Sequence, residues 1–109
     1  MTVRTLADTL GLKVLTLPEE ERECEGVYIG DLLSWVMGRA TRGNVWITIM
    51  SNLNVLAVAS LSDVSCVIFA EGVTPDETLI KTAEAKGVNL LTSTVSAYET
   101  AKQLSELGI

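Results

Sequence analysis

Residues 45–50, VWITIM, carry one polar side chain, Thr48, and residues 66–70, CVIFA, carry none. A strand with one face in water alternates apolar and polar side chains, because successive residues point to opposite faces. These two runs do not alternate, so both of their faces need cover. In a chain of 109 residues that cover comes from helices packed on both sides of a mostly parallel sheet.

The rest of the chain supplies those helices. Thr2 is placed to cap a first helix that ends at Gly11, with Leu6 and Leu10 four residues apart on its inner side, and Lys13–Thr16 follows as a short strand. Residues 18–26 hold five glutamates in the seven-residue stretch EEERECE and read as a solvated loop. Val27–Ile29 fits a short edge strand, and Asp31 is positioned to cap a helix running to about Ala40. At about 100° per residue, Leu32, Leu33, Val36 and Ala40 share one arc of that helix. Trp35 and Met37 flank the arc on opposite sides, which leaves open a docking surface or the margin of the core.

After residues 45–50, Asn54–Leu61 is ambiguous. Its β-branched content allows a hairpin strand, while Leu53, Leu56, Ala57 and Ser60 follow helical spacing. Thr74-Pro75-Asp76-Glu77 predicts a helix start with Thr74 as cap, Pro75 in the first helical position and Glu77 closing a capping box; the helix stops at Gly87. Val88–Thr92 is the next strand, and Ser96 through Glu99 repeats the capping pattern for a last helix ending near Gly108. No linker divides residues 1–109, so one α/β domain is expected.

Fourteen acidic against eight basic side chains leave a net charge of −6. Such a surface repels phosphate backbones and anionic headgroups, so neither nucleic acid nor membrane is expected as a partner. No run reaches the ~18 apolar residues of a membrane span, and the first residues lack the apolar stretch of a signal peptide. A cytoplasmic location is the expectation. Cys24 falls in the acidic loop and Cys66 in an apolar run, far apart in sequence, so neither a disulfide nor a redox pair is anticipated.

The absence of histidine removes the commonest general base and metal ligand at neutral pH. No spacing of Lys, Asp or Glu favours a nucleophile–base pair, so no catalytic residue, metal site or cofactor is assigned. Gly38 to Gly43 has the glycine spacing of a phosphate loop but lacks the Lys and Ser or Thr that should follow, and it leads from helix into strand, the reverse of the required order. Asp76 and Glu77 are explained by a helix's first turn rather than by a metal.

What remains is the edge of the sheet. If strands 45–50, 66–70 and 88–92 are parallel, their carboxyl ends gather Ser51, Asn52, Asn54, Glu71, Gly72, Ser93 and Thr94. Open α/β sheets bind ligands in that crevice, where free N–H groups and short polar side chains converge. The same residues also serve as ordinary caps and turns.

YIGDLLSWVMGRATRGNVWITIMSNLNVLAVASLSDVSCVIFAEG, the Pro-Asp-Glu helix start and KGVNLLTSTVSAYETAKQL together resemble the DRTGG domain, a module of some bacterial phosphate acetyltransferases and CBS-domain pyrophosphatases and also a small standalone protein. The chain is also similar to the N-terminal domain of HPr kinase/phosphorylase, including its opening TLADTLGLKVLT, without that enzyme's phosphate-binding catalytic domain. The resemblance implies a helix over the ambiguous 54–61 segment. It further implies that an Asp-Arg pair and a Thr-Gly-Gly turn face each other across the crevice in relatives. Here those places hold Ser51-Asn52 and Ala70-Glu71-Gly72, so of the two motifs only the last glycine is kept. The arginine that would hold a carboxylate or phosphate bidentately is gone, and Glu71 adds a charge that repels either. Asn52 or Asn54 remains able to cap the crossover helix, and Gly72 to take a positive φ.

By this resemblance the chain is expected to be a non-catalytic regulatory or protein-interaction module, homodimeric through Trp35 and Met37, its acidic loop favouring a basic protein partner. The alternative is a small-molecule sensor that binds a nucleotide or metabolite in the crevice.

Overall fold

The computed structural model describes all residues, 1–109. Five strands form one sheet in the order β1-β5-β4-β3-β2. They are β1 (Lys13–Thr16), β2 (Val27–Ile29), β3 (Val45–Thr48), β4 (Cys66–Phe69) and β5 (Leu90–Thr92). The pairs β2·β3, β3·β4 and β4·β5 are parallel, and β1 alone runs antiparallel, against β5. The helices are α1 (Val3–Leu10), α2 (Leu33–Arg39), α3 (Asn54–Ser62), α4 (Glu77–Lys86) and α5 (Ala97–Glu106).

The two-sided burial required by residues 45–50 and 66–70 is met by two cores, one on each face of the sheet. Trp46, Val67, Phe69 and Leu90 point into a core completed by Val36 of α2, Val55, Leu56, Val58 and Ala59 of α3, and Leu79 and Ala83 of α4. Val45, Ile47, Cys66, Ile68 and Leu91 point the other way, onto Val3, Leu6 and Ala7 of α1 and Leu104 of α5. Adjacent residues thus serve opposite cores, the period-two geometry of a strand applied to side chains that are all apolar. Helix α3 has apolar residues on most of its circumference, with Leu61 left 72% exposed, so its spacing alone did not separate helix from strand.

Several caps differ from the sequence expectation. Thr2 and Ser96 do cap α1 and α5, accepting from the N–H groups of Thr5 and Glu99. Asp31 does not cap α2, whose boundary residue is Leu32 with no side-chain cap. Its carboxylate is drawn instead to the end of β3, where it accepts from Thr48 Oγ1 at 2.8 Å and from the Ile49 N–H at 2.9 Å. Leu32, assigned to the inner arc, is 60% exposed. The cap of α4 is Asp76 rather than Thr74, accepting from the Leu79 N–H. Pro75 therefore precedes the cap, and Glu77 closes no capping box. The apolar runs extend past the strands they contain: β3 stops at Thr48 with Ile49 already 48% exposed, and β5 starts at Leu90.

The acidic 18–26 segment is not a free loop. Asn89, at the amino end of β5, accepts from the Glu19 N–H at 2.9 Å and donates to the Glu19 carbonyl at 2.7 Å and the Ser65 carbonyl at 2.9 Å. Asn44, before β3, accepts from the Thr41 N–H and donates to the Glu25 carbonyl. Both asparagines are buried, and each bonds backbone groups that the sheet ladders leave unpaired.

Replacing Asn89 with Ala removes three hydrogen bonds to backbone, one of them buried, and a loss on the order of 3 kcal/mol is expected in urea unfolding. An unchanged midpoint would contradict the clamp.

Candidate functional site

The carboxyl ends of β3, β4 and β5 share one rim, because Thr48 pairs with Phe69 and Phe69 with Thr92. The chain closes part of this rim by itself. At the β3 exit the Asp31 carboxylate takes the Thr48 hydroxyl and the Ile49 N–H, and Met50 N–H donates to Thr48 Oγ1. Beyond that closure Ser51, Asn52 and Asn54 are exposed, and Asn52 Oδ1 accepts from the Asn54 N–H at 2.9 Å, the role of a cap at the start of α3.

The exits of β4 and β5 are joined to each other. Gly72 N–H donates to the Ser93 carbonyl at 2.7 Å and Glu71 N–H to the Val95 carbonyl at 2.9 Å. Thr92 Oγ1 donates to the Val73 carbonyl at 2.8 Å, and Thr100 Oγ1 lies 3.1 Å from Ser93 Oγ. Glu71 and Gly72 both have positive φ, 61° and 71°. Glycine carries this at little cost, whereas a residue with a Cβ meets a steric penalty.

Beside this junction lies a cavity of about 300 Å³. Its wall includes Gly72, Thr74, Thr92, Ser93, Thr94 and Val95 from the two exits, Leu10, Gly11, Leu12 and Lys13 from the α1–β1 connection, and Gln103 of α5. Of the seven residues expected to share one crevice, Gly72, Ser93 and Thr94 line this cavity. Ser51, Asn52, Asn54 and Glu71 are not part of its wall. The expected single crevice is therefore two regions, divided because Asp31 closes the β3 exit.

Sequence reasoning missed Lys13, Thr74 and Gln103. Lys13 reaches the rim because β1 is antiparallel, so its first residue stands beside Thr92, where the parallel strands end. Strand direction leaves no trace in hydropathy, and only the pairing partner determines it.

Trp35 and Met37 are 55% and 49% exposed, with the Arg39 guanidinium 3.9 Å above the Trp35 ring. Ile29, Leu32, Ile49 and Leu53 are 48–60% exposed and fall where β2 passes into α2 and β3 into α3. At the opposite rim a groove of about 450 Å³ is occupied by an ion-pair cluster: Arg22 and Arg42 reach the Asp63 carboxylate at 2.8 and 3.2 Å. Asp63 has φ 55° at the end of α3, and the arginines hold that turn.

The two cysteines, distant in sequence, share one core and are both free thiols. Hydrogen bonding to Cys66 draws the Cys24 thiol down to about 7, against the opposing effect of burial. The same contact, with complete burial, pushes Cys66 well above the ordinary thiol range. No group of three or more Cys, Asp or Glu side chains is placed to share a metal ion, and no helix is long and apolar enough to cross a membrane.

Comparison with known proteins gives two findings. The family model of the DRTGG domain matches residues 5–107. Among solved structures, the fold is similar to that described as the CBS and DRTGG domains of the regulatory region of Clostridium perfringens pyrophosphatase complexed with activator, diadenosine tetraphosphate. The TM-score is 0.74 at 16% identity, with 93% of this chain and 44% of that one covered. The present chain thus spans less than half the length of that relative. No curated protein sequence matches.

Two outcomes follow from the geometry. A Cβ at Gly72 meets no atom within 4 Å, so Gly72→Ala is expected to cost only the left-handed backbone penalty, about 1 kcal/mol in urea unfolding; an unchanged stability would contradict the turn. Iodoacetamide on the native protein should alkylate Cys24 before Cys66, with a rate that rises through pH about 7, since the thiolate is the nucleophile. Equal labelling of both thiols would contradict their placement.

Proposed function

The chain belongs to the DRTGG domain family, and on that premise we propose that it is a non-catalytic regulatory and interaction module that pairs with a second copy of itself. The observation that carries this reading is the apolar corner around Trp35 and Met37. Six large apolar side chains from Ile29 to Leu53 are 48–60% exposed there, while Trp46, Phe69 and their neighbours on the sheet are fully sealed. Exposed apolar side chains concentrated in this way mark interaction sites on soluble domains. A second copy suits it because β2 leaves the outer edge of the sheet unpaired at the same corner, and a two-fold contact joins such a patch to itself. A basic partner at the acidic 19–25 segment is the less favoured alternative, since Glu20 and Glu23 already pair with Arg4 and the N-terminal ammonium.

The non-catalytic reading is supported by the state of three hydroxyls at this rim. Ser93 Oγ and Thr100 Oγ1 bond to each other and to backbone, and Thr92 Oγ1 bonds to two carbonyls. None has a base beside it to take its proton.

A second reading rests on a separate observation, the polar cavity beside Gly72, Ser93 and Thr94, which fits a small-molecule sensor. The structural relative is a regulatory region complexed with a nucleotide activator, and a nucleotide or metabolite is the corresponding ligand class for this chain.

Light scattering at tens of micromolar is expected to give the mass of a dimer, and the double variant Trp35→Ala, Met37→Ala that of a monomer. A wild-type monomer would overturn the pairing, and a dimeric double variant would move the interface elsewhere. For the second reading, a ligand present at about 100 times its Kd adds about 2.7 kcal/mol to stability. A thermal-shift panel of nucleotides, acyl phosphates and amines with no responder would overturn that reading alone.

A further inference from the structure

We propose that the cavity at the β4–β5–β1 rim is an anion site, in which Lys13 and the backbone of Thr74 and Thr94 hold the phosphate or carboxylate group of a small metabolite. The proposal deepens the sensor reading and rests on it.

Charge is the first argument. Acids outnumber bases fourteen to eight in this chain, yet the eleven residues of the cavity wall include no carboxylate, and Lys13 is their only charged member. Lys13 takes part in none of the six ion pairs of the molecule. A lysine left unpaired beside a concave wall free of acids attracts an anion more strongly than the same lysine on an open, predominantly acidic surface.

Hydrogen-bond accounting is the second. Three carbonyls of this junction are used: Ser93 O accepts from Gly72, Val95 O from Glu71, and Val73 O from Thr92 Oγ1. The N–H groups of Thr74 and Thr94, their hydroxyls and the Gln103 carboxamide bond to no other protein group. The wall therefore offers backbone N–H and hydroxyl donors beside the one cation, which suits anionic oxygens. Leu10 and Leu12 complete it with apolar surface for the remainder of a ligand.

The loss of the family's arginine and the presence of Glu71 stand against anion binding only between the β3 and β4 turns. Glu71 is exposed, lies in a left-handed turn and is not part of the cavity wall. The cation here comes from β1 instead, on the far side of β5.

The test is an amide NMR titration of the full chain with inorganic phosphate, acetate and adenosine at constant ionic strength, repeated with Lys13→Met and with Lys86→Met. Lys86 lines the groove at the opposite rim and serves as the charge-matched control. Phosphate or acetate is expected to move the Thr74 and Thr94 amides saturably, with affinity falling about tenfold or more in Lys13→Met and unchanged in Lys86→Met. The stronger of the two anions identifies the group carried. Movement of these amides by adenosine but by neither anion would overturn the anion assignment and leave the sensor reading standing. Silence to all three probes would overturn both. Anion binding lost in Lys86→Met but kept in Lys13→Met would also overturn the assignment.

Discussion

Burial of both faces of β3, β4 and β5 determines where polar chemistry can occur in this molecule. With Trp46, Val67, Phe69 and Leu90 sealed on one side and Val45, Ile47, Cys66, Ile68 and Leu91 on the other, the middle of the sheet has no room for a polar side chain. Backbone groups in the ladders bond to one another, and those beyond the ladders must find partners or water at the two rims. The rims meet this demand differently. At the amino ends of the strands, Asn44 and Asn89 supply side-chain amides that bond inward to five backbone groups, and Ser65 Oγ donates to the Asn44 carbonyl. The chain itself supplies these backbone partners, although Thr16 Oγ1 and Ser62 Oγ are buried without one. At the carboxyl ends only the β3 exit is closed, by Asp31, and the β4, β5 and β1 side keeps unused donors around an open cavity.

This asymmetry links fold to function. A rim that has used its hydrogen-bonding capacity gains little from a ligand, because binding would only exchange existing bonds. A rim with spare donors gains from a ligand that carries acceptors. The exposed apolar side chains around Trp35 are a separate resource, since they present hydrophobic surface instead of donors. On the proposed reading, one domain combines a face for a second copy with a cavity for a small molecule. Both suit a module that regulates without performing chemistry.

The parallel sheet was legible because VWITIM and CVIFA violate the alternation that a half-exposed strand must show. Helices α1 and α5 were legible from Thr2 and Ser96, whose short hydroxyl side chains have little other reason to stand before an apolar period. Asp31 was misread because a capping residue is recognised by local spacing, whereas this carboxylate is claimed by Thr48, seventeen residues away in sequence and adjacent only after β2 and β3 pair. Thr74 was displaced as cap by Asp76, which has an equally short acceptor side chain two positions later. Lys13 escaped notice for a related reason: its place at the rim depends on β1 running against β5, and direction is a tertiary property. Cys24 shows the same limit, since it sits in polar sequence and is buried by partners from other elements.

Hydrogen exchange resolved at single amides tests the contrast between the two rims most directly. The Glu19 amide, in a loop of glutamates but bonded to Asn89, is expected to exchange only through opening of the domain, as the Ile68 amide of β4 does. The Thr94 amide, in an equally short turn at the open rim, is expected to exchange within about tenfold of its unprotected rate. Rapid exchange at Glu19, or protection of Thr94 in the unliganded protein, would contradict the account.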